Sequence, residues 1–329
     1  MRRILSYLVV AAAVILCAGT LSAQTSKSKA PVRQGWQCTT EFYKIGTQVY
    51  GFQNDPLYGD IESIEEIFYL YVGVDDSGNA VCDSENATRT IYTFNKRGDV
   101  VSKMVYNERG ELIDSTVWEY DASGRLVKEQ SSGYCKTYKY NSAGLLSRYS
   151  YESEEFPSYD GDYVYDSRNN LVKIYSDFDG YKYVGYEAKY DAQNRLIYVI
   201  TRDEFASEYH KSYKYDKSGR VVKADYVYTV EICEYDANGN ILRICSGNNV
   251  EKTTFIYSTD GVLSGVKSDE GSYIFELNSD GKPIKCLSGD QLSNLKTYEY
   301  DEYGNIVKIH YYTEGYTEGY TERKITYRK

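Results

Sequence analysis

The sequence predicts an all-β chain of tandem antiparallel β-hairpin repeats forming one long twisted or spiralling sheet. Three observations predict it. A turn motif recurs eleven times between residues 94 and 304. The segments flanking it alternate aromatic and charged residues at the period of a strand. Aromatics make up 15% of the 329 residues, 39 of them Tyr against nine Phe, and that much ring surface argues for packed structure rather than disorder.

The chain opens on a targeting pattern. Met1-Arg2-Arg3 is positive, Ile4 to Leu16 is an almost unbroken apolar run, and Leu21-Ser22-Ala23 offers a small-residue cleavage site before Gln24. This predicts a secretory signal peptide over residues 1–23, and the apolar run is too short for a membrane span. Leu16 before Cys17 argues against lipoprotein anchoring. Removing Arg2 and Arg3 takes the net charge from −10 to −12. The expected product is an acidic exported protein of the periplasm or cell exterior of a Gram-negative bacterium. Its charge argues against nucleic acid as a partner. Six cysteines follow the cleavage site, with no CxxC pair. Cys38 and Cys82 are the disulfide candidates, and the other four read equally as buried free thiols.

Residues 24–89 read as a polar segment followed by leading strands, with 24–34 expected to be disordered and Gly59 to Tyr69 a first strand. Residues 90–311 are the repeat array. The recurring pattern is an aromatic, Asp or Asn, two variable residues, Gly, one polar residue and two mostly apolar ones, as in Tyr120-Asp121-Ala122-Ser123-Gly124-Arg125-Leu126, with weaker copies starting at Tyr257 and Leu277. Asp, Asn or Ser at the first turn position caps the local backbone, and Gly suits the fourth position of a type I turn. A left-handed residue there closes a hairpin with a bulge. The expected turn residues are Gly98, Gly110, Gly124, Gly144, Asn169, Asn194, Gly219, Gly239, Gly261, Gly281 and Gly304. The two exceptions are Asn, the side chain that best tolerates this region after Gly. Residues 312–329 form a low-complexity tail of Tyr-Thr-Glu units, in which Lys324 to Tyr327 are expected to cap the sheet edge.

A basic residue falls at one place in seven copies: Lys128, Arg148, Lys173, Lys223, Arg243, Lys285 and Lys308. Such a column could serve an anion. It could equally pair across strands with acids such as Glu119, Glu234 and Glu299.

The YDxxGRL core, here Tyr120 to Leu126 and Tyr215 to Val221, resembles that of the tyrosine-aspartate (YD, or RHS) repeat family. The resemblance covers roughly residues 90 to 310. It implies a β-hairpin per repeat, wound into a spiralling sheet. Large members of the family enclose a toxin or act in adhesion. This chain has too few repeats for a large shell and lacks a recognisable toxin domain, so it looks more like the short secreted YD-repeat proteins of Bacteroidetes-type bacteria.

Little in the sequence points to catalysis. His210 and His310 stand apart in strand-like contexts, and no GxSxG elbow, Walker loop, dinucleotide fingerprint or HExxH occurs. No catalytic residue, metal or cofactor is expected. Three readings remain: an exported non-catalytic binding or scaffold module presenting a Tyr-rich β surface to a glycan or protein; a passive envelope component or remnant of a larger repeat protein; and a carboxylate-dependent glycan-active enzyme. For the first, the candidate ligand-binding residues are Phe156, Tyr159, Phe178, Tyr181, Phe205 and Tyr209. They fall in three successive repeats of 25 residues, beside acids, at the edge opposite the Asp-x-x-Gly turns. Stacked repeats would align them as a ridge, or leave the Phe rings packed on the sheet.

Overall fold

The computed structural model describes residues 57–74, 80–205, 207–226, 230–246, 251–257, 259, 263–268, 271–279, 283–289, 294–313 and 316–329. These residues form 22 strands. The first four are β1 (Ile61–Val74), β2 (Ala80–Phe94), β3 (Val100–Tyr106) and β4 (Leu112–Tyr120). Next come β5 (Leu126–Ser131), β6 (Tyr134–Tyr140), β7 (Leu146–Ser153), β8 (Tyr159–Tyr165), β9 (Leu171–Phe178) and β10 (Tyr181–Tyr190). They are followed by β11 (Leu196–Arg202), β12 (Glu208–Tyr215), β13 (Val221–Tyr226), β14 (Val230–Tyr235), β15 (Ile241–Ser246) and β16 (Glu251–Tyr257). The last are β17 (Leu263–Ser268), β18 (Gly271–Leu277), β19 (Pro283–Gly289), β20 (Asn294–Tyr300), β21 (Ile306–Thr313) and β22 (Tyr316–Tyr327). Contacts divide the described chain into two units, residues 119–254 and residues 57–118 with 255–329.

In the first unit each strand from β6 to β15 pairs antiparallel with its neighbours in sequence. The hairpin turns follow from local chemistry. The Gly124 N–H donates to the Asp121 carbonyl and the Asp121 N–H to the Arg125 carbonyl, both at 2.9 Å. The Asp121 Oδ1 accepts from the Ser123 and Arg125 N–H groups, each at 2.9 Å. Gly124 has φ 84°; the other described turn glycines, at 98, 110, 144, 219, 239 and 304, lie between 75° and 92°. Asn169 and Asn194 stand at 66° and 68°. One residue is skipped beside each such turn: Lys139 faces Arg148, but Tyr140 faces Leu146. Gly261 and Gly281 lie outside the described residues. A β-branched side chain is strained at this φ, whereas Asn is tolerated. Gly124→Val is therefore expected to cost about 2 kcal/mol more than Gly124→Asn; equal urea midpoints would contradict the turn geometry.

Where an Arg follows the left-handed turn residue, its side chain closes the turn. The Arg125, Arg195 and Arg220 Nε atoms donate to Oδ2 of Asp121, Asp191 and Asp216, each at 2.7 Å. In the turns that begin at Asn95 and Asn107 the donor and acceptor exchange: Asn95 Nδ2 donates to Asp99 and Asn107 Nδ2 to Glu111. The motif tyrosine then ties one repeat to the one before. The Tyr140, Tyr165, Tyr190, Tyr215 and Tyr235 hydroxyls donate to the carbonyls of Leu126, Leu146, Leu171, Leu196 and Val221, at 2.6 to 3.0 Å. Phe cannot make this bond, worth about 1 kcal/mol, and here lies one reason for the excess of Tyr. The Arg125, Arg195 and Arg220 guanidiniums also sit 4.6 Å over the rings of Tyr140, Tyr215 and Tyr235.

These turn contacts respond to pH. The carboxyls of Asp121 and Asp216 are held below the usual range first by the N–H groups of Arg125 and Arg220. Those of Asp166, Asp191 and Asp236 are lowered first by the side chains of Asn170, Arg195 and Asn240. A depressed folded-state pKa contributes stability that is present above the unfolded value of about 4 and lost as pH falls through the folded value. The urea midpoint is thus expected to hold from about pH 7 to about pH 5 and to drop below about pH 4. Asp216→Asn, which cannot protonate, should fall less steeply; an unchanged slope would count against the turns as its source.

The second unit corrects the expectation of one long twisted or spiralling sheet, because its first strand pairs with its last. Strand β1 pairs antiparallel with β2 on one side and with β22 on the other, with Ile64 facing both Tyr92 and Ile325. Strand β22, drawn from the low-complexity tail, also pairs with β21. Ladders run by sequence order, but this seam joins segments some 250 residues apart. Ile61, Ile64, Ile306 and Ile309 are buried in this unit.

The seam is pinned by polar groups. The buried Asn305 side chain accepts from the Tyr58 N–H (2.7 Å) and donates to the Tyr58 carbonyl (3.0 Å) and the Tyr327 hydroxyl (2.7 Å). The Tyr327 hydroxyl donates to Asp301, and the Tyr303 ring packs on that of Tyr327 at 4.3 Å. Arg323, buried in β22, holds Glu66 of β1 at 2.6 Å.

Candidate functional site

Partners directly opposite in an antiparallel ladder share a face. In the first unit one face therefore carries three rows across the strands. The row nearest the long-loop edge is Tyr151, Tyr159, Phe178 and Tyr181. The second is Tyr138, Tyr149, Gly161, Ser176 and Tyr183. The third is Tyr163, Ile174, Tyr186, Thr201 and Tyr209. This tyrosine face holds the unit's core, with Tyr138, Tyr149, Tyr151, Tyr163 and Tyr186 all buried. Gly161 leaves room for the rings beside it, since a Cβ there would already touch Ile174 and Tyr163 at 3.4 Å. The Tyr159 hydroxyl and buried Ser176 share a hydrogen bond of 2.9 Å. Burial pushes the Tyr138, Tyr149, Tyr159, Tyr163 and Tyr183 hydroxyls upward, so they stay neutral.

The three long repeats meet at one edge. The Asp179 N–H donates to the Ser158 carbonyl at 3.0 Å, lacing the β9–β10 turn to the β7–β8 loop. That turn is tight: Asp179 (φ 49°) and Gly180 (φ 87°) have the positive dihedrals of a mirror-image hairpin turn. The β11–β12 loop repeats the Asp-cap geometry without its Gly. Asp203 Oδ1 accepts from the Phe205 and Ser207 N–H groups at 3.0 and 2.9 Å. The Glu204 and Asp203 carboxylates add to the effect of burial in raising the Tyr183 hydroxyl.

The six candidate residues divide in two. Tyr159, Phe178, Tyr181 and Tyr209 stand in strands on the tyrosine face, Tyr159 and Phe178 half-buried, Tyr181 and Tyr209 56% and 44% exposed. Phe156 and Phe205 lie in the loops, 55% and 78% exposed. Phe178 thus packs within a row, and the rings do not form a uniform outer ridge. Glu154 and Glu155 are exposed beside Phe156, whereas Asp177 points to the opposite face, 3.9 Å from Lys182.

The opposite face carries cross-strand ion pairs. Arg148 reaches Asp160 and Asp162 at 2.8 Å, Lys173 reaches Glu187 at 3.1 Å, and Arg243 reaches Glu234 at 2.6 Å. Lys128 stands 4.0 Å from Glu119 across the ladder, whereas Lys223 lies 2.7 Å from Asp225 of its own strand. In the other unit Lys285 and Lys308 face Glu276 and Glu299. The basic column is therefore matched by acids. Each exposed pair adds little stability. His210 bonds the Tyr198 hydroxyl (2.6 Å) and Glu208 (3.3 Å), and His310 lies 3.3 Å from Glu299.

Cys135, Cys233, Cys245 and Cys286 are free thiols. Burial pushes Cys233 and Cys286 up to about 11. Cys82 stands in β2 opposite Tyr71, while Cys38, and with it the pairing of the two, lies outside the described residues. Among the described residues no cluster of His, Cys, Asp or Glu is arranged to hold a metal ion, and no helix is long and apolar enough to cross a membrane.

No protein-family model matches the chain, and no curated protein matches it. Among solved structures the chain is similar to the Tc holotoxin pore of Photorhabdus luminescens, at 12% identity and a TM-score of 0.42. The match covers 85% of this chain but only 17% of that one. It is also similar to a porin-like protein from Bacteroides uniformis, at 10% identity and a TM-score of 0.29, over 81% of this chain and 96% of that one.

Proposed function

We propose that the protein is an exported, non-catalytic binding or scaffold module of the YD-repeat kind, presenting its tyrosine face and the adjoining loops to a glycan or protein. One observation carries this reading: Phe156, Tyr181, Phe205 and Tyr209 hold large rings in solvent at one strand edge, among carboxylates, on a frame whose core rings Tyr138, Tyr149, Tyr151, Tyr163 and Tyr186 are buried. A Tyr ring offers an apolar body and a polar tip, which suits partners that mix both. The paired strands would hold Tyr181 and Tyr209 with little ordering cost on binding. Export, to the periplasm or cell exterior, rests on residues 1–23 and belongs to the same proposal.

The test compares the parent with the combined variant Phe156→Ser, Tyr181→Ser, Phe205→Ser on glycan and peptide arrays. These side chains are exposed, so the urea midpoint should stay close to that of the parent. Array binding lost at unchanged stability supports the reading. Undiminished binding, or a large fall in stability, overturns it.

A further inference from the structure

On the face opposite the tyrosine rows, the residue just before the motif aromatic stands beside the basic column. The hairpins β4–β5 and β14–β15 place Glu119 and Glu234 there, beside Lys128 and Arg243. In the four motif hairpins between them the acid is replaced by Lys139, Val164, Lys189 and Lys214. Lys139 thus faces Arg148 and Lys214 faces Lys223, while Lys189 faces Tyr198 with its ammonium 5.6 Å from the ring centre. Like charges directly opposite one another weaken a ladder, where an opposite charge would strengthen it. All three lysines are exposed, and among the described residues none of them is paired with a carboxylate. Departures of this kind, made against local stability, mark sites kept for function.

We propose that this row binds a linear acidic polysaccharide, independently of the tyrosine face. Its spare cations lie on β6, β10 and β12, at the strand ends nearest the Asp-x-x-Gly turns. Hairpins follow one another at about 10 Å, two strand spacings, so the row suits an extended chain carrying spaced acid groups. Its borders disfavour broader polyanions. Asp162, Glu187 and Asp225 lie on the same face, two residues further from the turns than Val164, Lys189 and Lys223, and the whole chain carries a net charge of −10. A narrow basic stripe bordered by acids repels a flat anionic membrane or a densely charged nucleic acid. Within the row the half-buried Tyr198 ring, its hydroxyl bonded to His210 at 2.6 Å, offers a sugar an apolar body beside a polar tip.

The test follows binding of fluorescent polygalacturonate, a linear polyuronate, to the full chain by anisotropy, with neutral dextran as control. The parent should bind polygalacturonate but not dextran, and more weakly as salt is raised. The combined variant Lys139→Glu, Lys189→Gln, Lys214→Glu should bind at least about tenfold more weakly, since the spare cations are gone. Its urea midpoint should be no lower than that of the parent, because two like-charge facings are removed. The variant Phe156→Ser, Tyr181→Ser, Phe205→Ser should bind polygalacturonate as the parent does, which separates this site from the tyrosine face. No binding by the parent, undiminished binding by the lysine variant, a fall in that variant's stability, or loss of binding in the aromatic variant overturns the proposal. So does binding of single-stranded DNA or of anionic lipid vesicles as tight as that of polygalacturonate.

Discussion

Asn305→Ala is expected to lower the unfolding free energy by about 3 kcal/mol, more than any other single turn substitution. The side chain is buried and serves four partners: the Tyr58 N–H and carbonyl, the Tyr327 hydroxyl and Asp301. Alanine deprives buried polar groups of these partners, and each loss costs about 1 kcal/mol or more. Asn240 is the control. It occupies the same place in its turn, but its amide reaches only Asp236, at 2.9 Å, so Asn240→Ala should cost about 1 kcal/mol. Urea unfolding of both variants makes the comparison. Equal costs would mean that Asn305 is an ordinary turn residue and that Tyr58 and Tyr327 are held by other contacts.

Gly319→Ala should be comparably damaging, at about 3 kcal/mol. Gly319 lies in β22 with φ 153°, a conformation that L side chains rarely adopt, and an added Cβ would run into the Tyr69 carbonyl of β1. That oxygen belongs to a ladder strand and cannot step aside without breaking the β1–β22 register. Gly133, with open space around its Cβ position, provides the contrast: Gly133→Ala should stay within about 0.5 kcal/mol of the parent. Similar unfolding curves for the two variants would show that β22 does not pack against β1 as described.

What the sequence disclosed, and what it did not, follows the range of each interaction. The turns were legible because their physics is local. Asp121 caps groups two and four residues ahead, and Gly124 answers to its own dihedral. The Asp203 loop uses the same cap with Ser207 in place of the residue after Gly, and its Asp-x-x-x-Ser spacing was a signal available to be read. The hydroxyl ties between repeats span 14 or 19 residues, and nothing at either end announces them, although an excess of Tyr over Phe hinted that hydroxyls were needed. The placement of Phe178 was not legible. A tight turn puts it opposite both Tyr159 and Tyr181, and that registration depends on two hairpins at once. The β1–β22 seam was the least legible, because its partners are far apart in sequence and its pairing depends on the accumulated twist of the strands between.

The pairing of β1 with β22 is the central architectural claim, and amide hydrogen exchange across that seam tests it most directly. An open edge leaves every second amide of its strand without a partner. The account predicts slow exchange at successive amides from Ile64 to Phe68 and from Gly319 to Glu322, where each strand is paired on both sides, matching the β20–β21 ladder. Alternating protection in either strand, with every second amide exchanging at the rate of an exposed edge, would contradict it.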